Sequence, residues 1–205
     1  MMDRHATLTE LQAGLAEAGA SPADNGTVQM IVCRPDTNER LVVERAELDL
    51  VVGLIGDNWQ TRGSRHTEDG RANPEAQITI MNSRIAQVIA QDRERWQWAG
   101  DQLFVDLDLS AENLPPGQRL AIGTAVLEVS AAPHNGCDKF TARFGSDATR
   151  FVNSAEGRQA RRRGINTRII QPGMISVGDV VSKIDVASDD SVTEGVTADS
   201  AVALT

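Results

Sequence analysis

The chain has no tyrosine at all, and aromatic residues make up only 3% of its 205 residues. Surfaces that bind single-stranded nucleic acid stack bases on aromatic side chains set among basic ones. Here the aromatics are scarce and the formal net charge is −9, so no nucleic-acid partner is expected. Two cysteines, Cys33 and Cys137, do not make a disulfide framework. The three histidines, His5, His66 and His134, are too dispersed for a zinc site. No apolar run reaches the roughly 18 residues of a membrane-spanning helix, and Met1 to His5 lacks the apolar segment of a secretory leader. The glycine pattern of dinucleotide folds, the phosphate-binding lysine loop and the GxSxG nucleophile turn are all missing. These absences lead us to expect a cytoplasmic protein with no membrane contact.

What is present is 40% hydrophobic and 24% charged residues, an ordinary composition for one sizeable core. The negative charge is uneven. Residues 185–205 carry five acids and no Lys or Arg, and are expected to be a disordered tail. Arg158, Arg161, Arg162, Arg163 and Arg168 form a local basic cluster, either a solvated face or an anion site, since guanidinium forks bind phosphate well.

Along the chain, Thr7 to Glu10 reads as a capping box opening a short amphipathic helix that Gly19 and Pro22 end. The first 27 residues are expected to hold this helix and a linker. Val28–Arg34 and Arg40–Glu44 read as a hairpin, and Leu48–Ile55 as an apolar segment ending at Gly56-Asp57. The polar stretch from there to Pro74, with Arg62, Arg65, His66 and Arg71, reads as a site-lining loop. Gln77–Met81 alternates like a strand, Asn82-Ser83 caps a helix, and Leu103–Leu109 alternates again. Arg119–Ile122 and Thr124–Val129 flank Gly123 as a tight hairpin. Phe140, Phe144 and Phe151 share one face of a helix and belong in the core. Ile165–Ile170 is a strand, and Met174–Val177 with Asp179–Ile184 forms a hairpin about Gly178. Nine or ten short strands against three helices favour a barrel or sandwich over a doubly wound sheet.

The residue that draws chemical interest is Cys137, in the run His134-Asn135-Gly136-Cys137-Asp138-Lys139-Phe140. It follows a strand and a turn and precedes a helix. Helix starts and neighbouring cations raise the thiolate fraction of a cysteine, and His134, Lys139 and Arg143 are candidates for that positive field. A lone cysteine is otherwise a small buried hydrophobe.

Four stretches in order resemble the MOSC domain, the module named after the C-terminal part of molybdenum cofactor sulfurase. They are Gly53-Leu54-Ile55-Gly56-Asp57; Gln77 to Ser83 with Gly100-Asp101-Gln102-Leu103; Pro116 to Val129 leading to Cys137; and Arg163 to Ile170 with Gly173 to Val181. The resemblance implies a mainly β fold, a closed antiparallel barrel with a few peripheral helices, over residues 28–184. It implies that Cys137 either binds the molybdenum of a pterin cofactor or carries sulfur as a persulfide; both roles need a thiolate. On this analogy Cys137, Asp57 and Lys139 are catalytic candidates, and Gln77, Asp101, His66, Arg65, Arg143 and Arg163 are candidates for holding the cofactor. The protein would then be a molybdenum-dependent oxidoreductase or a sulfur transferase, partnered by an electron-donor protein or a cysteine desulfurase; pyridoxal phosphate would belong only to that desulfurase. The alternative is a noncatalytic small-molecule-binding or regulatory barrel in which Cys137 is structural. Asn58-Trp59 after Asp57, and Ala132 to Gly136 before the cysteine, depart from the commoner family forms.

Overall fold

In the computed structural model, residues 5–65 and 67–185 are described, so the expectations for His66 and for the tail beyond Asp185 lie outside them. Alternation along β1 (Gly26–Cys33) sets the architecture. Val28, Ile31 and Cys33 join one apolar cluster, Met30 and Val32 another, and both are buried. A bulge between Val28 and Met30 resets the alternation. β5 (Ile78–Asn82) and β6 (Leu103–Asp106) repeat the pattern, with Ile78, Ile80, Leu103 and Val105 inside and Met81 and Phe104 outside. A sheet buried on both faces must enclose one core and be covered over another.

It does so by closing. Among the described residues seven strands complete a barrel: β1, β6, β5, β9 (Ile165–Gln171), β8 (Ala125–Val129), β7 (Arg119–Ile122) and β11 (Val180–Ile184), which returns to β1. Every pairing is antiparallel except the parallel β5–β6 pair. Closure removes the open sheet edges that invite aggregation. β2 (Leu41–Val43) extends from the end of β1 as the expected hairpin. β3 (Arg45–Asp49), β4 (Gly53–Leu54) and β10 (Gly173–Ser176) make a small second sheet, whose Ala46, Leu48, Leu54 and Ile175 join the barrel core.

Two segments differ from the expectation. Leu48–Ile55 reverses direction, because the Asp49 carboxylate accepts hydrogen bonds from the amides of Val51 (2.7 Å) and Val52 (2.9 Å) and Gly53 adopts φ 82°. The strands around Gly178 do not form a hairpin: β10 pairs with β3, whereas β11 pairs with β7 and β1. The amide of Val177 donates to Glu44 O and that of Gly178 to Val28 O, which diverts the chain from one sheet to the other.

The outer cluster is covered by α1 (Leu8–Ala18), α3 (Ser83–Ala90) and α4 (Asp138–Asn153). The Thr7–Glu10 capping box forms, and Leu11 is fully buried where α1 packs on α3 and α4. α3 stops at Ala90, where Gln91 turns left-handed; Arg93–Ala99 continues as a 3-10 helix, so Arg93 and Arg95 lie beyond the helix expected to carry them. Phe140, Phe144 and Phe151 are buried on α4 as expected, each contributing about 1.5–3 kcal/mol by leaving water. Two short helices, α2 (Trp59–Arg62) and α5 (Ala155–Gln159), complete the set.

Candidate functional site

The last carbonyls of a helix lack partners within it and carry partial negative charge. The 3-10 helix ends at Ala99, and four arginines from four parts of the chain satisfy four consecutive carbonyls there. Arg40 Nε donates to Gln97 O (3.1 Å), Arg143 Nη1 to Trp98 O (2.9 Å), Arg163 Nη2 to Ala99 O (2.8 Å) and Arg34 Nη1 to Gly100 O (2.7 Å). The guanidiniums of Arg40 and Arg143 each lie 5.5 Å from the centre of the Trp98 ring, a cation–π geometry that fixes both.

Two of the four charges are neutralised. Asp57, whose side chain is fully buried, takes Arg34 through Nε (2.7 Å) and Nη2 (2.9 Å) and also accepts from the amides of Arg34 and Trp59. Asp101, equally buried, accepts from Arg163 Nη1 at 2.6 Å. Arg40 and Arg143 have no carboxylate partner among the described residues. Burial, with the charges of Arg143 and Arg34 beside it, lowers the Arg40 pKa to about 10. Burial likewise lowers that of Arg143, against an opposing pull from Cys137, and Arg163 lowers it further. Arg62, the last residue of α2, adds its charge to the same group.

The other oxygen of Asp101 meets His134 Nε2 at 2.7 Å. Burial alone would raise the Asp101 pKa, but Arg163 and His134 outweigh it and hold the group at about 2. The carboxylate is therefore ionised and can only accept, so Nε2 carries the proton and Nδ1 presents a lone pair. Burial, followed by the charge of Arg163, lowers the His134 pKa despite the attraction of Asp101. His134 is thus neutral near pH 7, and the positive field expected of it falls to arginine instead.

Cys137 is exposed and occupies the N-cap of α4, where its side chain makes no capping hydrogen bond. Its carbonyl accepts from the amide and hydroxyl of Thr141, and Asn153 grips Gly136 through both its amide and its carbonyl. Asn166 Nδ2 donates to Ala132 O and Pro133 O. The loop delivering the thiol is therefore tied to α4 on one side and β9 on the other. Among the described residues no group of three His, Cys, Asp or Glu side chains is placed to hold a metal ion, and no helix is long and apolar enough to cross a membrane.

The structure brings Cys137, Arg143, Asp101 and Arg163 into one neighbourhood. Asp57 reaches it only through Arg34. Gln77 lies elsewhere: its side chain donates to Leu50 O (2.8 Å) and accepts from Ile169 N (3.0 Å), joining the small sheet's turn to β9. Lys139 is exposed on the first turn of α4, and Arg65 is exposed on the turn after α2. Arg34, Arg40 and Trp98 were not expected at the site. No spacing marks them; only a charged residue directly ending an apolar strand, as Arg34 does, hints that a buried partner waits.

The fold is similar to that of YuaD from Bacillus subtilis, at 17% identity and TM-score 0.57, over 77% of this chain and 94% of that one. It is also similar to YiiM from Escherichia coli, at 18% identity and TM-score 0.53, over 80% and 72% respectively. No curated protein sequence matches the chain significantly. The sequence pattern of the MOSC domain matches residues 67–182, more than half of the chain and most of the closed barrel, and the chain belongs to the MOSC domain family.

Proposed function

We propose that this protein binds a phosphate-bearing molybdenum–pterin cofactor with Cys137 as the protein's ligand to the metal. The observation that carries the reading is an exposed thiol in the field of Arg143, a guanidinium with no carboxylate partner among the described residues. A thiolate is a soft ligand suited to such a metal, and the unneutralised guanidiniums of Arg40 and Arg143 suit an anionic cofactor. The donor set fits: one thiolate comes from the chain, and the remaining ligands belong to the cofactor. When bound, the cofactor would supply two-electron redox chemistry. The chain's own contribution is to hold anionic groups with Arg40 and Arg143. Asp101 fixes the His134 tautomer, and Nδ1 of His134 is free to accept a proton.

A second reading, sulfur carriage, is favoured by one observation: the Cys137 side chain is exposed and makes no capping hydrogen bond to its helix. In it the Cys137 thiolate attacks the terminal sulfur of a donor desulfurase persulfide. A new S–S bond forms on Cys137 as the donor's S–S bond breaks, and the donor leaves as a thiolate.

Metal analysis with intact mass on protein purified from a cofactor-competent host separates these. Stoichiometric molybdenum, lost in Cys137→Ser, supports the first. A gain of one sulfur atom on Cys137 after incubation with a desulfurase, removed by reductant and absent in Cys137→Ser, supports the second. A folded protein that shows neither overturns both and leaves the noncatalytic barrel.

A further inference from the structure

The arginines between residues 158 and 168 fall into two kinds. Three have an acid at hand: Arg163 holds Asp101 at 2.6 Å, Arg168 holds Glu128, and Glu156 attracts Arg162. Two have none among the described residues. Arg158, on α5, is exposed, and its guanidinium makes no hydrogen bond or ion pair there. Arg161 is partly buried and spends Nη1 on Leu114 O at 2.6 Å; burial alone lowers its pKa. Burying a cation even in part without a counterion costs free energy, so an anion from beyond the barrel would relieve this pair.

The chain's own carboxylates leave the barrel beside them. Gln118 Nε2 donates to Ile184 O, at the end of β11, at 3.1 Å, and the Gln118 amide donates to Pro115 O. The preceding carbonyl, Leu114 O, is the one Arg161 holds. The amide of Ala111 donates to Gln159 O at the end of α5. Residues 111–118 therefore touch the exit of β11 on one side and the Arg158–Arg161 turn on the other. From Asp185 onward the sequence carries Asp185, Asp189, Asp190, Glu194 and Asp199 and no Lys or Arg. Asp189 and Asp190 follow Ile184 by five and six residues, a reach of roughly 16–22 Å when extended. Only one short loop separates the exit from Arg161, so that reach is sufficient.

We propose that the acidic segment after Asp185 docks back on its own chain, with Asp189 and Asp190 paired to Arg158 and Arg161. Exposed ion pairs are weak between separate molecules, but a short tether raises the effective concentration to about the millimolar range. A segment too polar to bury a core of its own can still order on such a partner. Arg158 and Arg161 line one cleft with His134 and Arg163. The docked segment therefore screens that side of the site, and an anion entering there must displace it. The contact does not depend on what Cys137 binds, so it stands or falls separately from the molybdenum and sulfur readings.

The test is the amide NMR spectrum of the full chain at low ionic strength, read at Asp189 to Glu194. In the unaltered chain these signals should lie away from the positions of an unstructured peptide. They should return to those positions in Arg158→Glu, and near 1 M salt, where the Debye length falls to about 3 Å. Arg158→Lys, which keeps the charge, should leave them largely in place. The Arg158 side chain bonds nothing in the barrel, so the signals of β1 and β6 should not move in either variant. Asp189→Asn combined with Asp190→Asn should raise the rate of Cys137 with anionic iodoacetate, relative to neutral iodoacetamide, about twofold by removing the screen. Signals already at unstructured positions in the unaltered chain, or unmoved by Arg158→Glu, would overturn the docking. Signals that shift on dilution would overturn it too, by assigning the contact to a second copy. A rate ratio unchanged by the double substitution would overturn the screening.

Discussion

Cys33 and Cys137 are both free thiols, and each has a buried aspartate–arginine pair close behind it, yet they are opposites. Cys33 ends β1 and faces the barrel core. Its thiol donates to Ile55 O at 3.7 Å, and burial, reinforced by Asp57, pushes its pKa up. Its pair, Arg34–Asp57, closes in on itself: both carboxylate oxygens are used by Arg34 and by nearby amides. Cys137 is exposed, and its neighbouring pair is open, because Asp101 divides its oxygens between Arg163 and His134. One pair joins the end of β1 to the segment after β4 and holds Gly100 O. The other also orients the imidazole of His134, three residues before the exposed Cys137. A buried ion pair is therefore no guide to function by itself; what its second oxygen does is the better guide.

The largest effect should come from breaking the closed pair. Asp57→Ala leaves Arg34 buried without its counterion and should cost about 3–5 kcal/mol of stability, read from chemical denaturation. Labelling of Cys137 in the folded fraction should stay the same. If Asp57→Ala changed Cys137 labelling as strongly as stability, the two regions would not be separable as described. The contrast between the thiols themselves comes next. In the native protein iodoacetamide should modify Cys137 faster than Cys33 by roughly two orders of magnitude, since Cys33 reacts only through local opening. Comparable rates would contradict the burial of Cys33.

Acid should sharpen the difference between the pairs. The folded pKa of Asp101, about 2, lies below its ordinary 3.8. The group therefore contributes stability at pH values above 3.8, about 2 kcal/mol, and loses it as pH falls through 2. His134 acts earlier. Its folded pKa is lowered from 6.5, so below that pH the unfolded chain takes up the proton more readily and stability again falls with falling pH. Denaturation midpoints measured against pH should decline in two stages, and His134→Gln should remove the first. An unchanged profile in that variant would mean His134 is not held neutral by its surroundings.

The barrel was legible because its strands obey period-two alternation between strong turn signals, as at Arg119 to Val129, where the Gly123 hairpin forms as read. What local pattern did not reveal was partner choice. Nothing within Met174 to Ile184 says that β10 belongs to β3 and β11 to β1, because diversion at Val177 and Gly178 depends on carbonyls of Glu44 and Val28, more than a hundred residues away. The site was legible in the same proportion. Cys137, Asp101 and Arg163 stand in stretches whose order resembles the family, and Arg143 follows the cysteine closely enough in sequence to be read as its neighbour, whereas Arg34 and Arg40 are recruited by the end of a 3-10 helix that no period announces.

The smallest effect tests whether Arg143 acts on the exposed thiol or only caps Trp98 O. The rate of Cys137 with anionic iodoacetate divided by that with neutral iodoacetamide isolates attraction of the reagent, because both report the same thiol. Arg143→Glu reverses one charge in the neighbourhood and should lower that ratio about threefold at low ionic strength, as local steering of an anion does. Near 1 M salt, where the Debye length shrinks to about 3 Å, the difference should vanish. Arg143→Gln, which keeps a donor for Trp98 O, should give a smaller drop with the fold intact. A ratio unchanged by charge reversal at low salt would confine Arg143 to holding the helix end, and would leave Arg40 as the cation to test for anion capture beside Cys137.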